Sequence, residues 1–193
     1  QWFNGDGDLL GSGITLTGGF YGGDAVRCVV TPYDGKDAGS PVESAPVIVE
    51  NSPPTLSDVN LTPDDPTVES TLVCEPGSAT DPDGSTDITF TYRWTVSALP
   101  YAGAESNTLT APAFARGDTI QCFVTPSDGV EEGDEVASNV VSIENTAPQI
   151  TSVTISPEEV QTNDIISSDH ETYDIDGDDV TVNYEWRVNG VVV

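Results

Sequence analysis

The chain repeats itself, and the period of this repeat constrains its fold more than any other feature of the sequence. Residues 28–35, CVVTPYDG, return 94 positions later as residues 122–129, CFVTPSDG. Residues 50–54, ENSPP, return at the same spacing as residues 144–148, ENTAP. Self-similarity at a fixed period indicates an array in which each repeat is one structural unit. We therefore expect tandem units of about 94 residues.

Two further markers have nearly the same period. Residues 81–84, DPDG, return 93 positions later as residues 174–177, DIDG. The tryptophans Trp2, Trp94 and Trp186 are spaced by 92 residues. Loops tolerate small insertions and deletions, which explains differences of one or two residues between markers. All four markers therefore describe the same repeat.

The phase of the repeat divides the chain into three parts. Residues 51–145 contain each marker and form a complete unit. Residues 1–50 carry the markers of the C-terminal half of a preceding unit, and residues 146–193 carry those of the N-terminal half of a following unit. We expect the chain to be a slice of a longer protein, in which each half unit needs a neighbour to cover its apolar strand faces.

Within the complete unit, the hydrophobic pattern is that of β-structure. Residues 55–61, TLSDVNL, alternate with period two, and residues 87–96 are rich in Thr, Ile and aromatic side chains. Clusters of Pro, Gly, Asp and Ser separate such runs, and Asn189-Gly190 is typical of a type I′ hairpin turn. Seven short strands in a unit of this length predict an all-β fold built from two-sheet sandwiches.

The charge is strongly acidic and narrows the range of partners. The chain has 33 acidic residues against 5 Lys and Arg, giving a formal net charge of −28. Such a surface repels phosphates and anionic lipid, so we expect no nucleic acid partner and no membrane contact within this part of the protein. Three causes of the acidity stay open: solubility of a crowded extracellular array, adaptation to a salty habitat, and calcium sites.

The order Cys74, Trp94, Cys122 resembles the immunoglobulin-like plan, in which two cysteines join the sheets and a Trp packs against the bridge. The resemblance implies a disulfide between Cys74 and Cys122, and the alternative is two free buried thiols. In the following unit we place Ser167 at the position of Cys74. The partner of Cys28 would lie upstream of residue 1.

The succession of Asn-Ser-Pro-Pro or Asn-Thr-Ala-Pro, a short strand, Asp-x-Asp-Gly and a Tyr-x-Trp strand is similar to large bacterial surface proteins with tandem immunoglobulin-like, PKD-like or cadherin-like repeats. This resemblance implies an extracellular, non-catalytic stalk or filament, whose partners are copies of itself or neighbouring repeats of the same chain. Two alternatives are a calcium-dependent adhesin that binds a surface ligand such as glycan, and a spacer module of a secreted enzyme.

The Asp-x-Asp-Gly loops are candidates for Ca²⁺, which prefers six to eight oxygen ligands. They resemble the aspartate pairs that cadherin-like domains place at the junction with the preceding domain. The alternative is ordinary turns, because Asp and Gly also favour turn conformations. The candidate ligands are Asp81, Asp83, Asp174, Asp176 and Asp178 in the loops, with Glu50, Asn51, Glu144 and Asn145 in the linkers.

Catalytic sites find little support in the sequence. The only histidine, His170, has no Ser or Cys partner that repeats near it, and one histidine is too few for a typical zinc site. The tripeptide Arg116-Gly117-Asp118 matches an integrin-binding motif, but the repeat places Gly22 where Arg116 stands. We therefore expect a turn before a strand at this tripeptide, and no catalytic residues.

Overall fold

All 193 residues are described by a computed structural model, and every regular element in it is a β-strand. The prediction of an all-β fold is therefore confirmed. The structure contains no helix that is long and apolar enough to cross a membrane.

The N-terminal part forms one sheet of five strands. The strands are β1 (Trp2–Phe3), β2 (Leu9–Gly11), β3 (Ala25–Val30), β4 (Val42–Glu43) and β5 (Val47–Ile48). Their order is β2-β1-β3-β4, and β5 pairs with the other end of β3. The only buried apolar side chain of this sheet is that of Val26.

Residues 51–145, which we call the central unit, form two larger sheets and a short strand pair. The strands are β6 (Thr55–Leu56), β7 (Val59–Thr62), β8 (Leu72–Pro76), β9 (Ala79–Thr80), β10 (Thr89–Val96), β11 (Leu99–Tyr101), β12 (Thr108–Leu109), β13 (Thr119–Ser127), β14 (Val136–Ala137) and β15 (Val141–Ser142). One sheet has the order β11-β10-β13-β14, with β15 also on β13. The second has the order β12-β8-β7, and β6 pairs with β9.

One hydrophobic core fills the space between the two sheets of the central unit. The alternating burial along β13 places every second side chain of that strand in this core. The core residues are Val59, Leu61, Leu72, Cys74, Trp94, Leu109, Phe114, Ile120, Cys122, Val124, Val141 and Ile143.

A disulfide crosses this core. Cys74 on β8 is bonded to Cys122 on β13, with their Cα atoms 6.2 Å apart, which confirms the predicted pairing. Trp94 lies directly opposite Cys122 in the register of β10 and β13 and is fully buried. Its indole N–H donates to the carbonyl of Ser106 at 3.0 Å, so burial leaves no polar atom of this side chain unpaired.

The C-terminal part consists of two hairpins. The strands are β16 (Gln149–Ser156), β17 (Ser167–Tyr173), β18 (Arg187–Val188) and β19 (Val191–Val192). Between β18 and β19, Asn189 and Gly190 have φ of 51° and 82°. Positive φ at both central residues is what a type I′ turn requires, so the predicted hairpin is confirmed.

Equivalent hydrogen bonds recur along the chain at the spacing of the sequence repeat. The backbone N–H of Cys28 donates to Ser44 Oγ at 3.0 Å, and that of Cys122 donates to Ser138 Oγ at 3.1 Å. The backbone N–H of Gly23 donates to the carbonyl of Val49, as that of Gly117 does to Ile143, both at 2.9 Å. The N-terminal sheet and the sheet of β10 to β15 are therefore locally alike.

One residue correspondence differs from the sequence-based expectation. Leu61 pairs with Cys74 across β7 and β8, and Ile155 pairs with Ser168 across β16 and β17. The residue at the position of Cys74 is therefore Ser168, and the assignment of Ser167 is wrong by one. Neighbouring residues of a strand point to opposite faces, so the correction changes which side chain faces the core position.

Candidate functional site

Two junctions connect the central unit to its neighbours, and each is built around one Asp-x-Asp-Gly loop. The first junction joins residues 1–50 to the central unit through the linker at Asn51 and Ser52. The second joins the central unit to residues 146–193 through the linker at Asn145 and Thr146. Short polar linkers alone leave domains free to move, so the contacts at each junction decide how rigid it is.

The first aspartate of each loop holds the loop itself. Asp81 Oδ1 accepts hydrogen bonds from the backbone N–H of Asp83 at 2.7 Å and of Ser85 at 3.4 Å. Asp174 Oδ1 accepts in the same way from Asp176 at 2.9 Å and from Asp178 at 3.3 Å. Aspartate side chains that accept from backbone two residues ahead stabilise turns. These bonds fix the conformation of the loop and thereby orient its second aspartate toward the linker.

The second aspartate of each loop binds the linker. Asp83 Oδ2 accepts a hydrogen bond of 2.6 Å from the backbone N–H of Ser52. Asp176 Oδ2 accepts a hydrogen bond of the same length from the backbone N–H of Thr146. These two pairs occupy equivalent positions of the repeat. Charge-assisted hydrogen bonds of this kind are about twice as strong as neutral ones, so each carboxylate fixes the linker backbone.

At the first junction the same aspartate also reaches the preceding part of the chain. Asp83 Oδ1 accepts a hydrogen bond of 2.6 Å from the backbone N–H of Gly22. A Cβ atom at Gly22 would lie 2.8 Å from Asp83 Oδ2 and 3.0 Å from the Cα of Asn51. A side chain at this position would therefore push aside the Asp83 carboxylate or the backbone of Asn51. One carboxylate thus connects the N-terminal sheet, the linker and the central unit.

At the second junction an arginine replaces this glycine. Arg116 Nη1 donates a hydrogen bond of 2.6 Å to Asn145 Oδ1 and also binds the carboxylate of Asp178. The pKa of the Arg116 guanidinium is raised, first by the hydrogen bond and the charge of Asp178 and then by the charges of Asp176 and Asp174. The junction therefore carries its own cation among three carboxylates.

The linker asparagines make different contacts at the two junctions. Asn51 Nδ2 donates to Asp128 Oδ2 at 2.9 Å and more weakly to Glu131 Oε2 at 3.4 Å, which ties the first linker to the loop after β13. The pKa of Asp128 is lowered, first by the backbone N–H of Glu131 and then by Asn51. Asn145 donates instead to the carbonyl of Thr146 at 3.0 Å.

The candidate metal ligands gather only in part. The linker backbone reaches each loop at Ser52 and Thr146, one residue after each asparagine. The side chain of Asn51 binds Asp128 and Glu131 instead, and the side-chain oxygen of Asn145 accepts from Arg116. Glu50 and Glu144 are exposed, and their carboxylates make no hydrogen bond or ion pair.

In these loops, no three His, Cys, Asp or Glu side chains are close enough together to hold a metal ion. However, one buried carboxylate oxygen has no hydrogen-bond partner at each junction, Asp81 Oδ2 at the first and Asp176 Oδ1 at the second. Buried acceptors are normally paired, so each of these oxygens has capacity for a further donor or a cation. The two unpaired oxygens are therefore compatible with a bound cation. The loop geometry by itself is equally compatible with ordinary turns.

Sequence reasoning missed two junction residues, Gly22 and Arg116. The repeat aligns them, and the tripeptide at Arg116 drew attention only as a possible integrin motif. Their difference at equivalent positions was the available signal, because a residue that breaks an otherwise regular repeat marks a local change of contact. Arg116 does lie in the turn before β13, as predicted.

No protein-family model matches the chain, and no curated protein matches it.

Proposed function

We propose that this chain belongs to a non-catalytic extracellular repeat protein, whose immunoglobulin-like β-sandwiches are joined end to end into a stalk or filament at the cell surface. The observation that carries the proposal is a side-chain contact across each junction from equivalent positions of the repeat, Gly22 to Asp83 at the first and Arg116 to Asp178 at the second. A contact that recurs with the repeat and fixes one unit on the next is suited to a mechanical array.

The central unit supports the immunoglobulin-like part of the proposal. Its two sheets enclose one core, and the disulfide joins them beside Trp94. This arrangement of cysteines and tryptophan is the one that marks immunoglobulin-like sandwiches. Oxidising conditions outside the cell favour such bonds, which agrees with an extracellular location.

The test is the rigidity of the junctions in solution. Asp83→Asn removes one of two acceptor oxygens and the negative charge that faces Gly22, and Asp178→Asn removes the ion pair with Arg116 at the second junction. We expect X-ray scattering of the double variant to show a broader range of inter-unit orientations than the wild-type chain. Asp87→Asn is the matched control, because Asp87 is exposed and lies outside both junctions.

The proposal fails if the double variant and the control give the same scattering profile as the wild-type chain. In that case the aspartates shape local turns and do not restrain the units. The thermal unfolding of the central unit should change little in the double variant, since neither carboxylate contacts its core.

A calcium-dependent form of the same function has one observation in its favour, the unpaired buried oxygens of Asp81 and Asp176. At the first junction Asp81 and Asp83 would hold the ion, and at the second Asp174 and Asp176 would do so. Bound Ca²⁺ would neutralise carboxylates that otherwise repel across the junction.

Calcium binding is tested by titration calorimetry on the chelator-treated chain, with Mg²⁺ as a comparison ion. We expect heat of binding for Ca²⁺ and a rise in the midpoint of thermal unfolding that Asp81→Asn and Asp176→Asn together remove. Absence of binding at millimolar Ca²⁺, or binding that survives both substitutions, would leave these loops as turns.

A further inference from the structure

The two junctions differ at two positions of the repeat, and the two differences occur together. In the turns before β3 and β13, Gly22 at the first junction corresponds to Arg116 at the second, 94 positions later. Directly after the Asp-x-Asp-Gly loops, Ser85 corresponds to Asp178, 93 positions later. Arg116 and Asp178 form an ion pair with each other. The second junction therefore has a matched pair of opposite charges where the first has two uncharged residues.

The first junction is closed through the backbone. The N–H of Gly22 donates to Asp83 Oδ1 at 2.6 Å, and a Cβ at Gly22 would lie only 3.0 Å from the Cα of Asn51. The N–H of Ser85 lies within its own loop, 3.4 Å from Asp81 Oδ1. None of the ion pairs of the chain crosses this junction. The contact is therefore close, and it contains one charged group only.

The linker of the second junction is held on both sides of a single residue. The N–H of Glu144 donates to the carbonyl of Pro66 at 2.6 Å, which fixes this part of the linker on the central unit. The N–H of Thr146 donates to Asp176 in the following loop. Asn145 lies between these two attachments. The backbone at Asn145 is therefore where the following loop can turn against the central unit.

Arg116 spans this hinge from the side of the central unit. Its Nη1 donates to Asn145 Oδ1 at 2.6 Å and binds the carboxylate of Asp178. Of all hydrogen bonds and ion pairs in the structure, only the contact of Arg116 with Asp178 joins the central unit to residues 147–193. This one side chain is therefore the polar restraint on the orientation of the following loop.

Apolar packing across the second junction is incomplete. Val68 and Phe114 of the central unit and Ile175 of the loop line an open concavity of about 350 Å³. Ile175 is 41% exposed. Dispersion attraction requires atoms in direct contact, so a gap of this kind restrains the loop weakly. The ion pair is left as the main restraint on this hinge.

Solvent reaches this ion pair. The side chains of Arg116 and Asp178 are 41% and 42% exposed. Exposed ion pairs are weak and are screened by salt, and the Debye length falls from about 10 Å at 0.1 M to about 3 Å at 1 M. The first junction pairs a carboxylate with a neutral N–H, so it depends less on this screening. Salt should therefore weaken the two junctions unequally.

We propose that the second junction is an electrostatic hinge, in which Arg116 and Asp178 hold the following unit at low ionic strength and release it as salt rises, while the first junction keeps its orientation. This inference rests on the proposed end-to-end array and describes how the stiffness of the array responds to its surroundings. A difference at two positions of the repeat thereby produces a stiff joint and a salt-responsive joint in one chain.

The test measures each junction separately with pairs of spin labels in the 193-residue chain. Ser40→Cys with Thr91→Cys spans the first junction, and Thr91→Cys with Thr154→Cys spans the second, all three positions being exposed. Cys28→Ser removes the free thiol, and the native disulfide is kept oxidised. Distances between the labels are measured by double electron–electron resonance at low salt and at about 1 M NaCl, where screening is strong. A chelator is present throughout, so that divalent ions play no part.

We expect the second junction to have a narrow distance distribution at low salt. The ratio of oriented to released molecules should fall about two- to fivefold at high salt, the range for loss of an exposed ion pair. The first junction should change little, and it also reports any general effect of screening the acidic surface.

Arg116→Gln should remove the salt response of the second junction, because glutamine keeps a donor for Asn145 but has no charge. Arg187→Gln is the matched control, since Arg187 pairs with Glu185 outside both junctions and its loss changes the net charge equally. This control should keep the response of the wild-type chain. A second variant, Arg116→Gly with Asp178→Ser, gives the second junction the residues of the first and should also be insensitive to salt.

The outcomes separate the hinge from the array. A salt response that is equal at the two junctions, or that persists in either variant of Arg116, overturns the electrostatic hinge. Two junctions that stay narrow at every salt concentration overturn the hinge alone and leave the rigid array in place. Two junctions that are both broad at low salt overturn the array together with the hinge.

Discussion

At the scale of single residues, the first junction depends on Gly22. A Cβ at this position would lie 2.8 Å from Asp83 Oδ2. Because glycine has no Cβ, three chain segments can meet at the carboxylate of Asp83. At the equivalent position of the repeat, the side chain of Arg116 forms an ion pair with Asp178 at the second junction. The same place in the repeat therefore supports two chemically different contacts, one between backbones and one between charges.

We predict that Gly22→Ala separates the first junction without unfolding the central unit. The added methyl group must displace either Asp83 or the backbone of Asn51, which breaks the hydrogen bond to the linker. Amide exchange at Ser52 should then be about tenfold faster, equivalent to roughly 1.4 kcal/mol of lost protection. Gly5→Ala is the control, because a Cβ there has no neighbour nearer than 3.6 Å. Unchanged exchange at Ser52 would contradict this account.

At the scale of elements, Arg93 on β10 connects two strands of the larger sheet. Its guanidinium lies 3.8 Å from the centre of the Phe123 ring on β13 and forms a bidentate pair with Glu135, at 2.9 and 2.6 Å, just before β14. The hydrogen bond from Arg93 lowers the pKa of Glu135. A carboxyl with a lowered folded-state pKa stabilises the fold above its unfolded pKa and loses this contribution as pH falls through the folded value.

We predict that Glu135→Gln destabilises the central unit at neutral pH by about 0.5 kcal/mol, a small value because both side chains are more than a third exposed and screened by solvent. The difference from wild type should disappear as the pH falls below the lowered pKa of Glu135. Denaturant unfolding of both proteins at neutral and acidic pH measures it. A difference that is constant with pH would show that charge pairing is not the cause.

Much of the element pattern follows from the sequence, and the exceptions are contacts between distant segments. Period-two alternation predicted strands, and the Asn189-Gly190 pair predicted its hairpin, because both depend on neighbouring residues. The side chain of Asn139 binds both the N–H and the carbonyl of Leu61, 78 positions away, and thereby holds the edge of β7. No local pattern identifies such a contact, and the same is true of Arg116.

At the scale of the whole molecule, the arginines are few and already paired. All four arginines form ion pairs with carboxylates, namely Arg27 with Glu43, Arg93 with Glu135, Arg116 with Asp178 and Arg187 with Glu185. The remaining acidic groups leave the outer surface negative along the chain. The sequence predicted this charge but not its distribution, because three of the four pairs join residues that are distant in the sequence and are brought together by the fold.

The bond between Cys74 and Cys122 also determines how far the central unit lengthens under tension. A force applied to the two ends of the unit cannot extend the segment of 48 positions that the bond encloses. At about 3.4 Å for each extended residue, roughly 160 Å of contour is withheld while the bond is intact. We predict that single-molecule stretching of the central unit gains this length when a reductant is added. An equal unfolding length with and without reductant would contradict the prediction, and confirmation would make the redox state of the surroundings a control on extensibility.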